Sequence, residues 1–228
     1  SKSRGINRFP ALIEALEWLQ KRPEVQARGI KITLPQGLIE WMKVETKLAN
    51  PALTKAVEEK GHPDLKQALE WSKAVNEAVE KIVRCVPPFP YLRQSLEKLT
   101  GKADLLVVSA TPTEALKREW EEHDLAKYVV EICGQEMGTK KELLAMAKDY
   151  KPGHVLMIGD APGDYKAAQA NNALFYPINP GAEEQSWKRF YEEGIDRFLS
   201  GKFAGEYQQK LLAEFDSYLP ELPPWMRK

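Results

Sequence analysis

The sequence predicts an α/β fold in which a doubly wound parallel sheet follows an α-helical domain. Over residues 88–182, amphipathic helical segments alternate with short apolar runs, an order typical of α/β proteins. Over residues 8–85, apolar residues recur at helical spacing and no convincing strand pattern occurs. We therefore expect a helical domain (1–87), a doubly wound core (88–182) and a C-terminal helical extension of that core (183–228).

Four helices fit the first region. Prolines stand near the predicted helix starts, where the ring costs no hydrogen bond, and glycines mark the breaks. These residues are Pro10, Pro35, Pro51, Pro63, Gly29 and Gly61. Trp18, Trp41 and Trp71 lie on the apolar stripes, so we expect them in the core of this domain rather than at a cofactor.

The predicted sheet is built from apolar runs that follow a proline-rich linker at residues 86–90. The runs at 105–108 and 155–158 are continuous rather than alternating, as expected for parallel strands that helices cover on both faces. We predict strands at residues 105–108, 128–132, 155–158 and 174–176, and helices at residues 91–99, 113–122, 140–149 and 164–171.

Composition and charge exclude several classes of protein. The 228 residues are 43% hydrophobic and 29% charged, which argues against disorder and against a disulfide scaffold. The 33 basic residues balance 33 acidic ones, so no overall field attracts nucleic acid or an anionic membrane. Cys85 and Cys133 are too few for a secreted framework and too distant for a metal pair, and we expect two reduced structural cysteines.

The expected location is the cytoplasm. No apolar run approaches the roughly 18 residues that a membrane-spanning helix needs, and the first residues lack the apolar block of a secretory signal. Residues 1–5 have the composition of a loop, so we expect the natural chain to start upstream of Ser1.

Polar residues lie where the predicted strands end. In an open parallel sheet, ligands bind outside the carboxyl ends of the strands. Ser109 follows the first strand, and Asp160 and Asp164 follow the third. Lys140 opens the helix after the second strand, with Lys141 as the second choice. Carboxylates bind a hard cation such as Mg²⁺, while an ammonium and a hydroxyl neutralise and orient phosphate oxygens, so the set predicts phosphoryl chemistry.

Each of these residues alone also fits a structural role. Asp164 suits a helix cap, and a serine after a strand is commonly a turn residue. A purely structural role suits Lys140 less well, because the helix dipole disfavours a cation at a helix start. The combination in this order is what indicates a site, and we expect the four side chains to lie within roughly 10 Å of a common point.

Residues 88–180 resemble the haloacid dehalogenase-like hydrolase superfamily. Residues 88–92 resemble the proline-led start of the helix before the family's second motif, and residues 105–109 resemble that motif itself. Lys140 matches the third-motif lysine, and residues 159–164 resemble the fourth motif.

The resemblance implies a fold and a set of roles. The core is then Rossmann-like, and residues 1–87 take the place of an inserted helical cap that closes over the substrate. Ser109 binds a phosphoryl oxygen, and Asp160 and Asp164 hold Mg²⁺.

One family motif does not occur in the sequence. The first motif is a strand followed by Asp-x-Asp, whose first carboxylate is the nucleophile and whose second is a general acid and base. The chain contains no Asp-x-Asp. Because this motif precedes the cap, we expect its strand upstream of Ser1, between the strands at 105–108 and 155–158. Those two strands are then not paired with each other.

The predicted function is a Mg²⁺-dependent phosphatase that acts on a small phosphorylated metabolite through an aspartyl-phosphate. Two alternatives stay open: a catalytically silent module that binds a phosphorylated ligand, and a metal-independent dehalogenase. The chain lacks both Gly-x-Gly-x-x-Gly after a strand and Gly-x-x-x-x-Gly-Lys-Ser/Thr, which argues against a dehydrogenase or ATPase. Arg4, Lys31, Trp41 and Lys43 are candidates for substrate contact from the cap.

Overall fold

The computed structural model describes residues 5–83 and 86–220. The chain divides into two compact units. The helical unit is Ile6–Val86, and the α/β unit comprises Gly5 and the described residues from Pro87 onward.

The helical unit has five helices in its described residues, one more than predicted: α1 (Arg8–Lys21), α2 (Pro23–Ala27), α3 (Gln36–Val44), α4 (Asn50–Lys60) and α5 (Pro63–Ile82). The additional helix is α2, which has five residues and buries none of them. No apolar spacing therefore marks it in the sequence. The predicted breaks are confirmed, because Gly29 and Gly61 lie between helices with φ values of 65° and 60°.

An apolar core formed by α1, α3, α4 and α5 stabilises the helical unit. Trp41 is 3% exposed, and its ring packs edge-to-face on Phe9 with the centroids 5.6 Å apart. Trp71 packs against the same core. These two tryptophans are core residues as predicted, and Trp41 presents little surface to a substrate. Arg4, another candidate for substrate contact, lies outside the described residues.

The α/β unit alternates helices and strands, as predicted. Its elements up to the last strand are α6 (Leu92–Leu99), β1 (Leu106–Val108), α7 (Thr113–Glu122), β2 (Glu131–Cys133), α8 (Lys140–Leu144), β3 (Leu156–Gly159), α9 (Pro162–Ala170) and β4 (Leu174–Pro177). Two boundaries were predicted wrongly. The apolar residues before β2 include a 3₁₀ turn, Ala126–Tyr128, and α8 passes into another 3₁₀ turn, Ala145–Ala147, instead of continuing to residue 149.

The strands form two parallel pairs. In the first pair Leu106 lies opposite Glu131 and Val108 opposite Cys133. In the second pair Leu156 lies opposite Leu174. Within the described residues, β1 and β3 are not hydrogen-bonded to each other, as predicted, and the strand expected between them stays a prediction.

Both faces of the β3–β4 pair are covered by apolar side chains. Leu156 and Ile158 of β3 pack on one side with Tyr176 of β4. Met157 and Phe175 pack on the other side. The first cluster includes Leu99, Phe190, Ile195, Phe203 and Leu211, and the second includes Ala168, Phe215 and Leu219. Helices on both faces explain why these strands read as continuous apolar runs.

The C-terminal region is helical, as predicted. A continuous helical segment comprises α10 (Glu183–Arg189), a π-helical turn (Phe190–Gly194) and α11 (Ile195–Leu199), and α12 (Glu206–Ser217) follows. Glu214 of α12 accepts two hydrogen bonds from the Arg189 guanidinium, at 2.6 and 2.9 Å, and one from the Asn179 amide at 2.8 Å. This network joins α10 and α12 to the segment that follows β4.

Cys133 at the end of β2 is a free, buried thiol. Its burial and the nearby charge of Glu131 raise the pKa of this thiol, which suits the predicted structural role. Cys85 lies outside the described residues. No helix in the described part of the chain is long and apolar enough to cross a membrane.

Candidate active site

Ser109 lies directly after β1, where the sequence analysis placed it. Its backbone N–H donates to the carbonyl of Cys133 at 3.0 Å, so the β1–β2 ladder continues to this residue. Its Oγ accepts a hydrogen bond from the N–H of Thr111 at 3.1 Å. A hydroxyl that accepts still has its own proton to donate, so Ser109 can donate to an oxygen of a ligand.

Lys140 is the first residue of α8. Thr139 is the N-cap of this helix, and the Glu142 carboxylate accepts the Thr139 N–H at 2.8 Å in a capping box. The capped helix start directs Lys140 towards α9, where its Nζ donates to Oδ1 of Asp164. Between the two neighbouring lysines, Lys140 is therefore the one that reaches a predicted carboxylate.

Asp164 is a buried carboxylate near the start of α9. Its side chain is 2% exposed, and its Oδ2 accepts the N–H groups of Asp160 and Ala161, both at 3.1 Å. Lys140 contacts the other oxygen. Asp164 thus caps the helix, as the structural alternative predicted, and in addition holds Lys140.

Gly159 is required by this packing. A Cβ at Gly159 would lie 2.5 Å from the Asp164 carboxyl group, closer than side chains approach each other. Glycine at the end of β3 therefore lets the carboxylate fold back over the loop. The half-buried Asp160 follows directly.

Gly5 brings the N-terminal end of the described chain to this loop. It has a φ of 74°, and a Cβ on it would lie 2.8 Å from Cβ of Ala161. Gly5, the last residue before the helical unit, therefore lies beside the loop that carries Asp160.

The sequence matches the family model of the haloacid dehalogenase-like hydrolases over residues 5–172. This range is most of the chain and includes Ser109, Lys140, Asp160 and Asp164. The chain belongs to the haloacid dehalogenase-like hydrolases. No curated protein and no solved structure matches it. The expected α/β hydrolase is confirmed at the level of the family.

The donor set of this haloacid dehalogenase-like hydrolase fits Mg²⁺. The ion is commonly held by one or two protein carboxylates, with phosphate and water completing its shell. Asp160 and Asp164 supply two carboxylates at one strand end. Asp164 already accepts three hydrogen bonds, and a carboxylate has about four lone-pair sites, so one remains for a metal. Within the described ranges no group of three or more His, Cys, Asp or Glu side chains could enclose a metal on its own.

Glu136, which the sequence did not single out, contacts the end of the loop that carries Ser109. It follows β2, and its Oε2 accepts both the N–H and the hydroxyl of Thr113, at 3.1 and 2.9 Å. Burial raises the pKa of Glu136, but hydrogen bonds from its own N–H and from Thr113 outweigh that effect, and the pKa lies below its ordinary value. Glu136 lies three residues after β2, and nothing in its sequence position distinguishes it from a solvated surface charge.

A separate cleft of about 700 Å³ lies on the C-terminal helices of the hydrolase. Its lining includes Arg189, Glu193, Arg197, Tyr207 and Glu214. Arg189 pairs with Glu214 and Arg197 with Glu193, so internal ion pairs account for much of its charge. None of the four predicted site residues lines it.

Proposed function

We propose that this hydrolase is a Mg²⁺-dependent phosphatase that acts on a small phosphorylated metabolite. The observation that carries the proposal is the ion pair between Lys140 and Asp164, next to Asp160 at the end of β3. A cation and two carboxylates at one strand end suit a phosphoryl group and a hard metal ion. Balanced charge favours a small substrate over nucleic acid or an anionic membrane, and we place the enzyme in the cytoplasm.

The proposed reaction has two steps. A carboxylate oxygen attacks phosphorus, and the ester P–O bond breaks to give an aspartyl-phosphate and an alcohol, which takes a proton from the second carboxyl group of the first motif. Water then hydrolyses the aspartyl-phosphate, which releases inorganic phosphate and restores the carboxylate. Negative charge on the phosphoryl oxygens must be stabilised in both steps.

Residues of this chain supply that stabilisation. The Ser109 hydroxyl donates to one phosphoryl oxygen, and the Lys140 ammonium neutralises charge on the group. Asp164 holds Lys140 in place from a buried position. Mg²⁺, when bound by Asp160 and Asp164, neutralises further charge on the same oxygens.

The proposed nucleophile is an Asp upstream of Ser1, on a strand between β1 and β3. Each of these strands has one edge with no strand partner among the described residues. Leu105, just before β1, and Leu156 of β3 pack on the same apolar cluster. An inserted strand would separate β1 and β3 by roughly 9 to 10 Å. The position of Gly5 beside Ala161 supports this route, because it places the start of the described chain next to the loop that carries Asp160.

The test is turnover of an aryl phosphate by the full-length protein, including the residues upstream of Ser1, in Mg²⁺ and in excess EDTA. We expect turnover that requires Mg²⁺ and that Lys140→Met lowers by at least about a hundredfold, because one charged contact to the transition state is lost. The matched control is Lys141→Met, which removes the neighbouring exposed ammonium and should leave turnover within about twofold.

Two outcomes would replace the proposal. Hydrolysis of a haloacid that persists in EDTA, without phosphatase activity, would identify a metal-independent dehalogenase. Binding of inorganic phosphate without turnover of any aryl phosphate would identify a silent binding module.

A further inference from the structure

We propose that Glu136 is a positioning residue: its carboxylate fixes the loop that carries Ser109 and thereby orients the Ser109 hydroxyl. This inference rests on the proposed function, because Ser109 contacts a phosphoryl group only in that reaction. Glu136 belongs to the loop after β2, whereas Ser109 belongs to the loop after β1. The Glu136 carboxylate therefore acts on a neighbouring loop and not on its own.

The loop between β1 and α7 is held along its length by residues that follow β2. At its start, the Ser109 N–H donates to the Cys133 carbonyl. In its middle, the Gln135 N–H donates to the Thr111 carbonyl at 3.0 Å. At its end, Glu136 accepts both donors of Thr113. Glu136 thus supplies the only charged side chain among these three contacts.

Close packing fixes the same end of the loop. A Cβ at Gly134 would lie 2.4 Å from the backbone nitrogen of Thr113, so only glycine permits this approach. Gly134 and Glu136 together hold Thr113, the first residue of α7. A carboxylate at a helix start is also favoured by the helix dipole, which strengthens the contact.

The connection to the Ser109 hydroxyl runs through Thr111. The Ser109 Oγ accepts the Thr111 N–H, so the direction of the hydroxyl depends on where Thr111 lies. Thr111 is two residues from Thr113, with Pro112 between them. Because Pro112 has a fixed φ and restricts the backbone of Thr111 before it, a displacement of Thr113 passes to Thr111. The Glu136 carboxylate therefore determines the geometry of a hydroxyl that it does not touch.

The experiment is a double-mutant cycle in the full-length enzyme with an aryl phosphate. We expect Glu136→Ala to lower kcat/KM about tenfold, and Glu136→Gln, which keeps a carbonyl acceptor, to recover most of that loss. In a Ser109→Ala background, Glu136→Ala should change kcat/KM less than about twofold, because the group it orients is gone. The matched control is Glu114→Gln, which removes an exposed charge from the first turn of the same helix and should leave kcat/KM unchanged.

Two kinetic results would overturn the inference. One is a loss from Glu136→Ala that is equal in the wild-type and the Ser109→Ala backgrounds, which would show a general structural role. The other is no loss at all in the active enzyme.

Amide hydrogen exchange separates this inference from the proposed function. If the wild-type enzyme has no phosphatase activity, the proposed function fails. Amide exchange at Thr111 and Thr113 then still tests whether Glu136 fixes the loop between β1 and α7. We expect Glu136→Ala to accelerate exchange at both amides about tenfold or more, since both lose ordered acceptors. Unchanged exchange at Thr111 would contradict the connection between Glu136 and the Ser109 hydroxyl.

Discussion

The two strand pairs of the α/β unit differ in how the loops that carry the candidate site residues are held. The loop after β3 is held by a buried charge, since the Asp164 side chain is 2% exposed and pairs with Lys140. The loop after β1 is held by an exposed bridge between Glu136 and Thr113. A buried charge that loses its partner is far more unfavourable than an exposed one, which water solvates. Loss of a partner should therefore affect folding at the β3 loop and local order at the β1 loop.

The two strand pairs also differ in how deeply their apolar side chains are buried. Phe175 and Tyr176 of β4 are each 1% exposed, whereas Leu106 of β1 is 38% exposed and Val130, just before β2, is 68% exposed. The β3–β4 pair therefore contributes most of the stability of the strands described in this unit.

The largest expected effect tests this contrast in packing. Phe175→Ala should lower the free energy of unfolding by about 3–5 kcal/mol, because the ring fills a closed cluster with Tyr165 and Phe215. Leu106→Ala should lower it by less than about 1 kcal/mol, since the side chain is already partly in water. Urea unfolding of both variants measures the difference. Equal losses would show that the two pairs are equally packed.

The next effect concerns the buried charge. Lys140→Met should lower the free energy of unfolding by about 2–3 kcal/mol, below the range for a fully buried pair because Lys140 is 31% exposed. The double variant Lys140→Met/Asp164→Asn should recover part of this loss, because no unpaired charge then remains. Urea unfolding provides the values, with Lys141→Met as the matched control. A Lys140→Met variant as stable as the wild type would mean that the ion pair between Lys140 and Asp164 does not stabilise the folded state.

A smaller effect is expected from glycine at the end of β3. Gly159→Ala places a Cβ 2.5 Å from the Asp164 carboxyl group and should lower the free energy of unfolding by about 1–2 kcal/mol. Gly163→Ala, four residues later, meets no atom within 4 Å and should be neutral or slightly stabilising. Thermal unfolding of the two variants compares them directly. A neutral Gly159→Ala would contradict the close approach of Asp164.

The smallest expected effect is a dependence on pH in the helices that cover β4. Hydrogen bonds from Arg189 hold the pKa of Glu214 below its ordinary value of 4.5. A carboxyl group with a lowered pKa stabilises the folded state above its ordinary pKa, and this contribution is lost as the pH falls through the folded value. Stability should therefore decrease below pH 4.5, and Glu214→Gln should reduce that decrease by up to about 1 kcal/mol.

Urea unfolding at about pH 7 and about pH 3 measures this difference. Glu206→Gln, an exposed glutamate of the same helix, is the control. Identical decreases in the wild type and in Glu214→Gln would show that the ion pair with Arg189 contributes nothing to folding.

The sequence predicts correctly those elements whose apolar residues are buried in the core. Thr113–Glu122 begins and ends as predicted, and the runs that became β3 and β4 are continuous because both of their faces are covered. The predicted start of β2 was wrong because residues Ala126–Tyr128 form a 3₁₀ turn, and the apolar Val130 that follows is exposed. Apolar character without burial therefore misplaced that boundary.

One contact of the candidate site, between Lys140 and Asp164, was predictable from topology. Lys140 follows β2 and Asp164 follows β3, and their contact agrees with the rule that ligand-binding residues gather at the carboxyl ends of parallel strands. Glu136 was not predictable in this way. An exposed glutamate looks like any solvated charge, and its contact with Thr113 depends on which loop approaches it in three dimensions.

The central claim is that Asp160 holds Mg²⁺ in a phosphatase, and the Mg²⁺ dependence of aryl phosphate turnover by the full-length enzyme tests it most directly. We predict that Asp160→Asn raises the Mg²⁺ concentration for half-maximal turnover about tenfold or more, because a charged ligand becomes neutral. The same variant should unfold in urea within about 0.5 kcal/mol of the wild type, since the residue is half-buried at a loop. An unchanged Mg²⁺ dependence in a folded Asp160→Asn variant, or wild-type turnover that persists in excess EDTA, would contradict the claim.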